Sequence, residues 1–334
     1  MKGMVPELQL EKRGLEVSRD FFHSLGQPIL EEVFREVYTR MAIGLVGEGS
    51  ECFGFDDLIS TDHDYEPAFC IWLNDEDYAK IGKDVQEVYE ALAREVRQEN
   101  NLHLPQNVHR HGVMKISGFY RRFLRTATVP TEPMAWLQLP EEYLATATNG
   151  DIFYDGLGEF SRIRQQLLDY YPENVRRKKI AARAIAMAHS GQCNFTRMMR
   201  RHDTVAAAFA LHEFVKNTCS MVYLLNKKYA PYYKWLWRGM ENLQLLPQVK
   251  DELLELSRCQ LDIRNWPGRR EVYEEINQND RIIQLVELIA AQIIEELKRQ
   301  GLSDSQDNYL EGHAYAVMNT IADERIRSLP IMLG

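Results

Sequence analysis

Gly47-Glu48-Gly49-Ser50 closes the apolar run Ala42-Ile43-Gly44-Leu45-Val46, and Asp62-His63-Asp64 precedes a second one, Phe69-Cys70-Ile71-Trp72-Leu73. The order predicts a strand, a glycine turn, a short helix and a second strand opened by the two acids. Side chains at i and i+2 of a strand share a face, so Asp62 and Asp64 project together and His63 points the other way. Paired carboxylates suit Mg²⁺, a hard cation that takes oxygen ligands and keeps places for water and phosphate. Glycines let backbone N–H groups approach a phosphate, and a helix starting at Ser50 aims its positive end there. A metal and a phosphate cradle in one short segment are the equipment of phosphoryl or nucleotidyl transfer. The competing reading is turn chemistry: Gly-Ser and Asp-x-Asp also occur in solvated turns.

Gly49-Ser50, a gap, then Asp62-x-Asp64 resembles the signature of the DNA polymerase β-type nucleotidyltransferase superfamily, which includes the kanamycin and lincosamide nucleotidyltransferases. The run from Gly47 to Asp64 looks like that of a bacterial domain-of-unknown-function family with this core. Asn149-Gly150-Asp151-Ile152-Phe153-Tyr154-Asp155 and Tyr229-Ala230-Pro231-Tyr232-Tyr233-Lys234-Trp235 look like that family too. The resemblance implies a nucleotidyltransferase-like sheet and transfer of a nucleoside monophosphate from ATP or another nucleoside triphosphate. Asp62 and Asp64 would hold Mg²⁺, with Gly49 and Ser50 on the phosphates. It names no acceptor; a small molecule with a hydroxyl is expected. The alternative, from another class, is a non-catalytic nucleotide-binding or antitoxin-like interaction protein of the same fold.

Relatives of this kind carry a third carboxylate on a later strand, which ligates metal or takes the acceptor proton. Asp155 is favoured, with Asp151 and Glu66 as alternatives; an aspartate before Gly156 also reads as a turn or helix cap. Relatives also place a basic residue of the helical domain on the phosphates. Lys227 and Lys234, beside Tyr229 to Trp235, fit that role, as does Arg197 with Arg200 and Arg201. The competing reading is a helix corner at Pro231 packed by the tyrosines and Trp235. The resemblance further implies a cleft between the two domains, with Lys234 or a neighbour facing the Asp pair.

The chain has 334 residues, 45% hydrophobic and 27% charged, enough for two soluble domains. No apolar run approaches the about 20 residues of a membrane span. The first residues lack the apolar core of a signal peptide. Five scattered cysteines with no CxxC pair argue against a zinc knuckle or disulfide framework and fit a reducing cytoplasm. A net charge of −9 disfavours a large nucleic-acid partner. The basic run Arg176-Arg177-Lys178-Lys179 reads as a solvated helix face.

Helical periodicity marks the first 40 or so residues, then Ile81 to Arg97. Val113 to Ile116 and Asp151 to Tyr154 read as a third and fourth strand. Helices are expected over Glu159–Asp169, Glu173–His189, Thr204–Lys228, Tyr232–Leu243, Gln248–Ser257, Val272–Gln300 and Asn308–Ser328. The fold class is therefore α+β: a small mixed-sheet domain over 1–157, a linker near Asp155–Glu159, and an all-helical domain over 158–334. His103, His109 and His111 share a polar loop that offers a transition metal no fourth ligand. His212-Glu213 reads as a hydrogen-bonded core pair, and Met114, Phe119 and Phe123 as packing.

Overall fold

Strand β1 (Ala42–Leu45) and strand β2 (Cys70–Leu73) are buried along their whole length. Continuous apolar runs of this kind belong to strands covered on both faces. In the computed structural model, which describes residues 12–57, 59, 67–99, 110–266 and 277–334, they are the inner strands of a four-stranded sheet. β3 (Gly112–Lys115) runs parallel to β2, and β4 (Asp151–Asp155) runs antiparallel to β1, giving the order β3-β2-β1-β4. Ala42 pairs with Trp72 and Gly44 with Cys70. The strand described begins at Cys70; Asp62, Asp64 and Glu66 lie outside the described residues, as do His103 and His109.

Period-2 alternation sorts β2 onto two faces. Phe69, Ile71 and Leu73 join Ile43 in a core with Phe21, Phe22 and Leu30, from α1 (Gly14–Phe21), a π-helical turn and α2 (Gln27–Val33). Val85, Leu92 and Val96 of α5 (Asp75–Glu99) complete it. The periodic residues expected from Ile81 onward are present, but the helix starts six residues earlier. Asn74 caps it by accepting from the Asp77 N–H at 2.8 Å. Asp77 in turn takes a bidentate pair from Arg40, 2.8 and 2.9 Å, which holds its carboxyl below the ordinary range.

Trp72 faces the other way. Its ring stacks on Phe160 at 4.1 Å and meets Phe119 edge-on at 5.4 Å. Phe119 and Phe123 are buried on α6 (Ile116–Leu124), so the packing role expected of them holds. Phe160 belongs to α9 (Glu159–Leu168), which follows β4. The short α3 (Arg35–Tyr38) precedes β1, and α4 (Ser50–Phe53) follows it. α7 (Pro133–Leu137) and α8 (Glu141–Thr148) lie between α6 and β4.

The chain divides into two compact units. One runs up to Pro130 and includes Leu139–Tyr170; the other takes Thr131–Gln138 and Tyr171–Gly334. The break falls after α9 rather than near Asp155–Glu159, because α9 packs on α8 and β4.

The second unit is helical. α10 (Glu173–Met187) passes through a π-helical segment, Ala188–Phe195, into α11 (Thr196–Arg200). After a turn, α12 (Thr204–Leu225) returns antiparallel, capped by Asp203. α13 (Tyr233–Leu236) and a 3₁₀ turn at Arg238–Asn242 follow, then α14 (Pro247–Arg258). α15 (Arg281–Arg299) starts at the Asp280 cap, later than periodicity suggests. The last expected helix is two, α16 (Leu310–Asn319) and α17 (Glu324–Arg327), the latter restarted by Asp323.

The basic run on α10 is not a solvated face. Arg176, Lys178 and Lys179 are all buried. Arg176 Nε donates to the Leu224 carbonyl at 3.0 Å, and Lys178 Nζ to the carbonyls of Pro330 and Ile331 at 2.7 and 3.1 Å. Buried cations with carbonyl acceptors replace solvent with fixed dipoles. Burial pushes the Lys178 ammonium down to about 8.

Candidate functional site

The Gly47–Ser50 turn leaves the end of β1 in a conformation only glycine adopts freely. Gly47 and Gly49 have φ of 135° and 136°. A Cβ on Gly49 would collide with the Arg110 guanidinium and the Glu51 carboxylate. Gly49 stands at the N-cap of α4 with no side-chain capping bond. The first-turn N–H groups beyond it have no intrahelical acceptor. The expected helix does start at Ser50, but it is a single turn. Its summed dipole is correspondingly small, so local N–H groups, not a macrodipole, are what the turn offers an anion.

Two clamps hold this turn, and the sequence reading assigned neither. Arg110 donates from Nε and Nη2 to the Glu48 carbonyl at 3.0 and 2.6 Å, and from Nη2 to Glu51 at 2.5 Å. Arg122 pairs with the Glu48 carboxylate at 2.7 Å. On the other side, Asn149 accepts from the Gly47 N–H at 2.9 Å and donates to its carbonyl at 2.7 Å. Gly150 N–H donates to the Cys52 carbonyl at 2.7 Å. Behind Asn149, Arg164 reaches the carbonyls of Thr148, Asn149 and Gly150 at 2.8 to 3.3 Å. Burial lowers the Arg164 guanidinium. Asn149-Gly150 was legible as a turn; that its amide grips a backbone 102 residues away was not.

Cys52 and Cys70 are buried beneath the turn, and burial raises both thiols, Cys70 to about 12. They are inert as nucleophiles at neutral pH.

Among the candidate acids, Asp155 accepts from the Gly158 N–H at 2.9 Å with one oxygen and from the Ser161 N–H at 2.8 Å with the other. The capping reading thus accounts for both of its oxygens. Asp151 pairs with Arg19 and accepts from the Ile152 N–H. Asp56, which the sequence reading passed over, accepts from Gly14 N–H at 2.7 Å with Oδ2; its Oδ1 is buried with no hydrogen-bond partner among the described residues. Among the described residues no cluster of acids, histidines and cysteines has metal-binding geometry. Lys115 at the end of β3 lies over the Tyr78 ring and beside Asp75.

The candidate cations of the helical unit separate into two groups. Arg176 bonds to Leu224 and Arg183 to Ser220, which fixes α10 and α12 as an antiparallel hairpin. Arg197, exposed on α11, lies at the closed end of that hairpin. Lys227 follows the far end of α12, and Lys234, on α13, stands over Trp235 at 4.9 Å. At 1.5 Å per residue α12 separates the two groups by about 30 Å. They cannot serve one triphosphate together. Tyr229 is buried and packs edge-on against Tyr171 at 5.0 Å, so the helix-corner reading describes Tyr229, whereas Tyr232 and Tyr233 are exposed. His212 and Glu213 are exposed rather than a core pair.

An Asn149→Ala variant tests the amide clamp. It strips Gly47 of both partners, and each lost bond to a half-buried group costs about 1 kcal/mol. We expect a loss of about 2 kcal/mol in unfolding free energy by urea titration, with Asn149→Asp, which keeps the acceptor, losing less. No change in either variant would remove Asn149 from the architecture of the turn.

No helix among the described residues is long and apolar enough to cross a membrane. No curated protein and no solved structure matches the chain. A family model described as a domain of unknown function (DUF4037) matches residues 136–236, a span that contains Asn149 with its clamp and the Tyr229–Trp235 corner.

Proposed function

We propose that this protein is a nucleotidyltransferase that moves AMP from ATP to a hydroxyl of a small acceptor. The observation that carries the reading is the Gly47–Ser50 turn. Two glycines at positive φ hold it, Asn149 and Arg110 brace it from opposite sides, and its N–H groups have no capping side chain. In the proposal the Gly49 and Ser50 backbone binds the β- and γ-phosphates. Asp62 and Asp64 would hold Mg²⁺, which supplies charge neutralisation on the triphosphate. Glu51, neutralised by Arg110, does not repel the phosphates. Lysine or arginine must share such a site, and Arg110, which reaches the Glu48 carbonyl and the Glu51 carboxylate, is a described cation at this turn. The domains of this proposal are a nucleotidyltransferase-like sheet unit and a helical unit.

Titration calorimetry of ATP with Mg²⁺ tests the assignment. The wild type is expected to bind only with metal, and Asp62→Ala/Asp64→Ala is expected to lose that binding. Equal, metal-independent binding by both would sink the motif.

One observation favours the non-catalytic alternative. Asp155 is committed to the start of α9, so the third carboxylate lacks a described occupant. Pyrophosphate release across nucleotides and hydroxyl acceptors separates the two: binding without release supports a sensor.

A further inference from the structure

A groove of about 770 Å³ opens along the helical hairpin, within the size range that holds small ligands. One wall is α12, where Ala206, Phe209, Glu213 and Lys216 follow one another at helical spacing on one face. The other wall comes from the end of α10, the π-helical segment and α11, through His189, Asn194 and Met198. The antiparallel register set by Arg183 and Ser220 places Ala186 opposite Lys216 and Met198 opposite Ala206. The groove therefore has an apolar end and a charged end.

Three features point to a ligand. Phe209 is 72% exposed on the groove wall, so the apolar end presents an open aromatic face on which a second ring can stack. Glu213 and Lys216 carry opposite charges about one turn apart, and neither is ion-paired among the described residues. Glu213 is instead oriented by Asn217, whose amide donates to its carboxylate at 2.8 Å. Finally, the π-helical segment forms part of the wall, and such segments in helices concentrate at functional sites. Gly191 makes its packing possible, because a Cβ there would lie 2.8 Å from Phe214 Cε2.

We propose that this groove binds an aromatic α-amino acid or a close zwitterionic analogue. The ring lies on Phe209 and Met198, the ammonium faces the Glu213 carboxylate, and the ligand carboxylate meets the Lys216 ammonium. The order apolar, anion, cation along α12 matches a body joined to an ammonium and a terminal carboxylate. His189, 3.8 Å from Glu311, closes the middle of the opposite wall. The site belongs to the helical unit and does not depend on the nucleotidyl-transfer reading.

The test uses three probes that differ only in charge: L-tryptophan, indole-3-propionate without the ammonium, and tryptamine without the carboxylate. Titration calorimetry on the full chain, without nucleotide, is expected to show tryptophan binding at least fivefold tighter than either analogue. Lys216→Gln should weaken tryptophan and indole-3-propionate and leave tryptamine unchanged. Glu213→Gln should weaken tryptophan and tryptamine and leave indole-3-propionate unchanged. Phe209→Ser should weaken all three. These side chains are exposed, and unchanged melting curves would confirm that the variants fold. Equal binding of the three probes, no binding of any, or charge variants that shift none of them overturns the proposal. Because no nucleotide is present, its failure leaves the ATP titration untouched.

Discussion

Trp72→Ala is expected to lower the unfolding free energy of the sheet unit by about 3–5 kcal/mol, the range for truncating a large aromatic in a core. The indole is wholly buried and joins β2 to α6 and α9 through Phe119 and Phe160. Its removal opens a cavity where three elements meet, with no flexible neighbour to fill it. Trp72→Phe separates packing from polarity. The indole Nε1 is buried with no hydrogen-bond partner among the described residues, so phenylalanine also deletes an unsatisfied donor. We expect it to cost less than half as much as alanine in urea unfolding followed by circular dichroism. Equal losses in both variants would show that ring volume at this position is not what holds the sheet to its helices.

The second large effect is a pH dependence from Lys178. Its folded-state pKa, about 8, lies below the ordinary value of 10.5 because the ammonium is desolvated on α10. Below pH 8 both the folded and unfolded chains carry the proton, and the burial cost is present in full. Between pH 8 and 10.5 the folded chain releases the proton first, the unfolded chain binds more protons, and stability rises with pH. The gain attributable to this group reaches about 3 kcal/mol at most. Other groups titrate in that window, so the informative quantity is the difference between wild type and Lys178→Met in urea midpoints at pH 7, 9 and 10. The difference should shift in favour of the wild type as pH rises. A difference that stays constant would mean the ammonium is solvated.

The sheet was legible because its inner strands are apolar on both faces, so Ala42 to Val46 and Phe69 to Leu73 stand out as short unbroken runs. α5 was legible over its apolar periodicity and not over Asp75 to Lys80, where capping by Asn74 rather than core contact sets the start. α6 and α8 escaped notice because each is about two turns long and leans on α9 and the other. The Gly47–Ser50 turn could be read from its glycines alone. The groups that brace it, Arg110, Asn149 and Arg164, are set by contacts across 59 residues or more of chain for the first two, which no local pattern encodes. The same holds for Arg176 and Lys178, whose acceptors lie at Leu224, Pro330 and Ile331. A cationic run signals solvent only when nothing distant supplies carbonyls. His212-Glu213 failed in the opposite sense: the apolar stretch of α12 around it suggested burial, yet Val205 and Phe209 are exposed there.

The π-helical segment between α10 and α11 has a consequence for how this hairpin tolerates change in length. Successive α-helical residues are about 100° apart, and the wider segment absorbs a residue that a uniform helix would have no place for. Deleting one residue between Ala188 and Phe195 would remove that surplus and let the helix run on as a uniform α-helix, with the faces after it close to their present phase. Phe195 and Met199 would stay in the core. The same deletion in the uniform part of α12 would turn everything after it through about 100° and exchange its inward and outward faces, so the widened segment is the place where this hairpin can lose a residue without a change of phase.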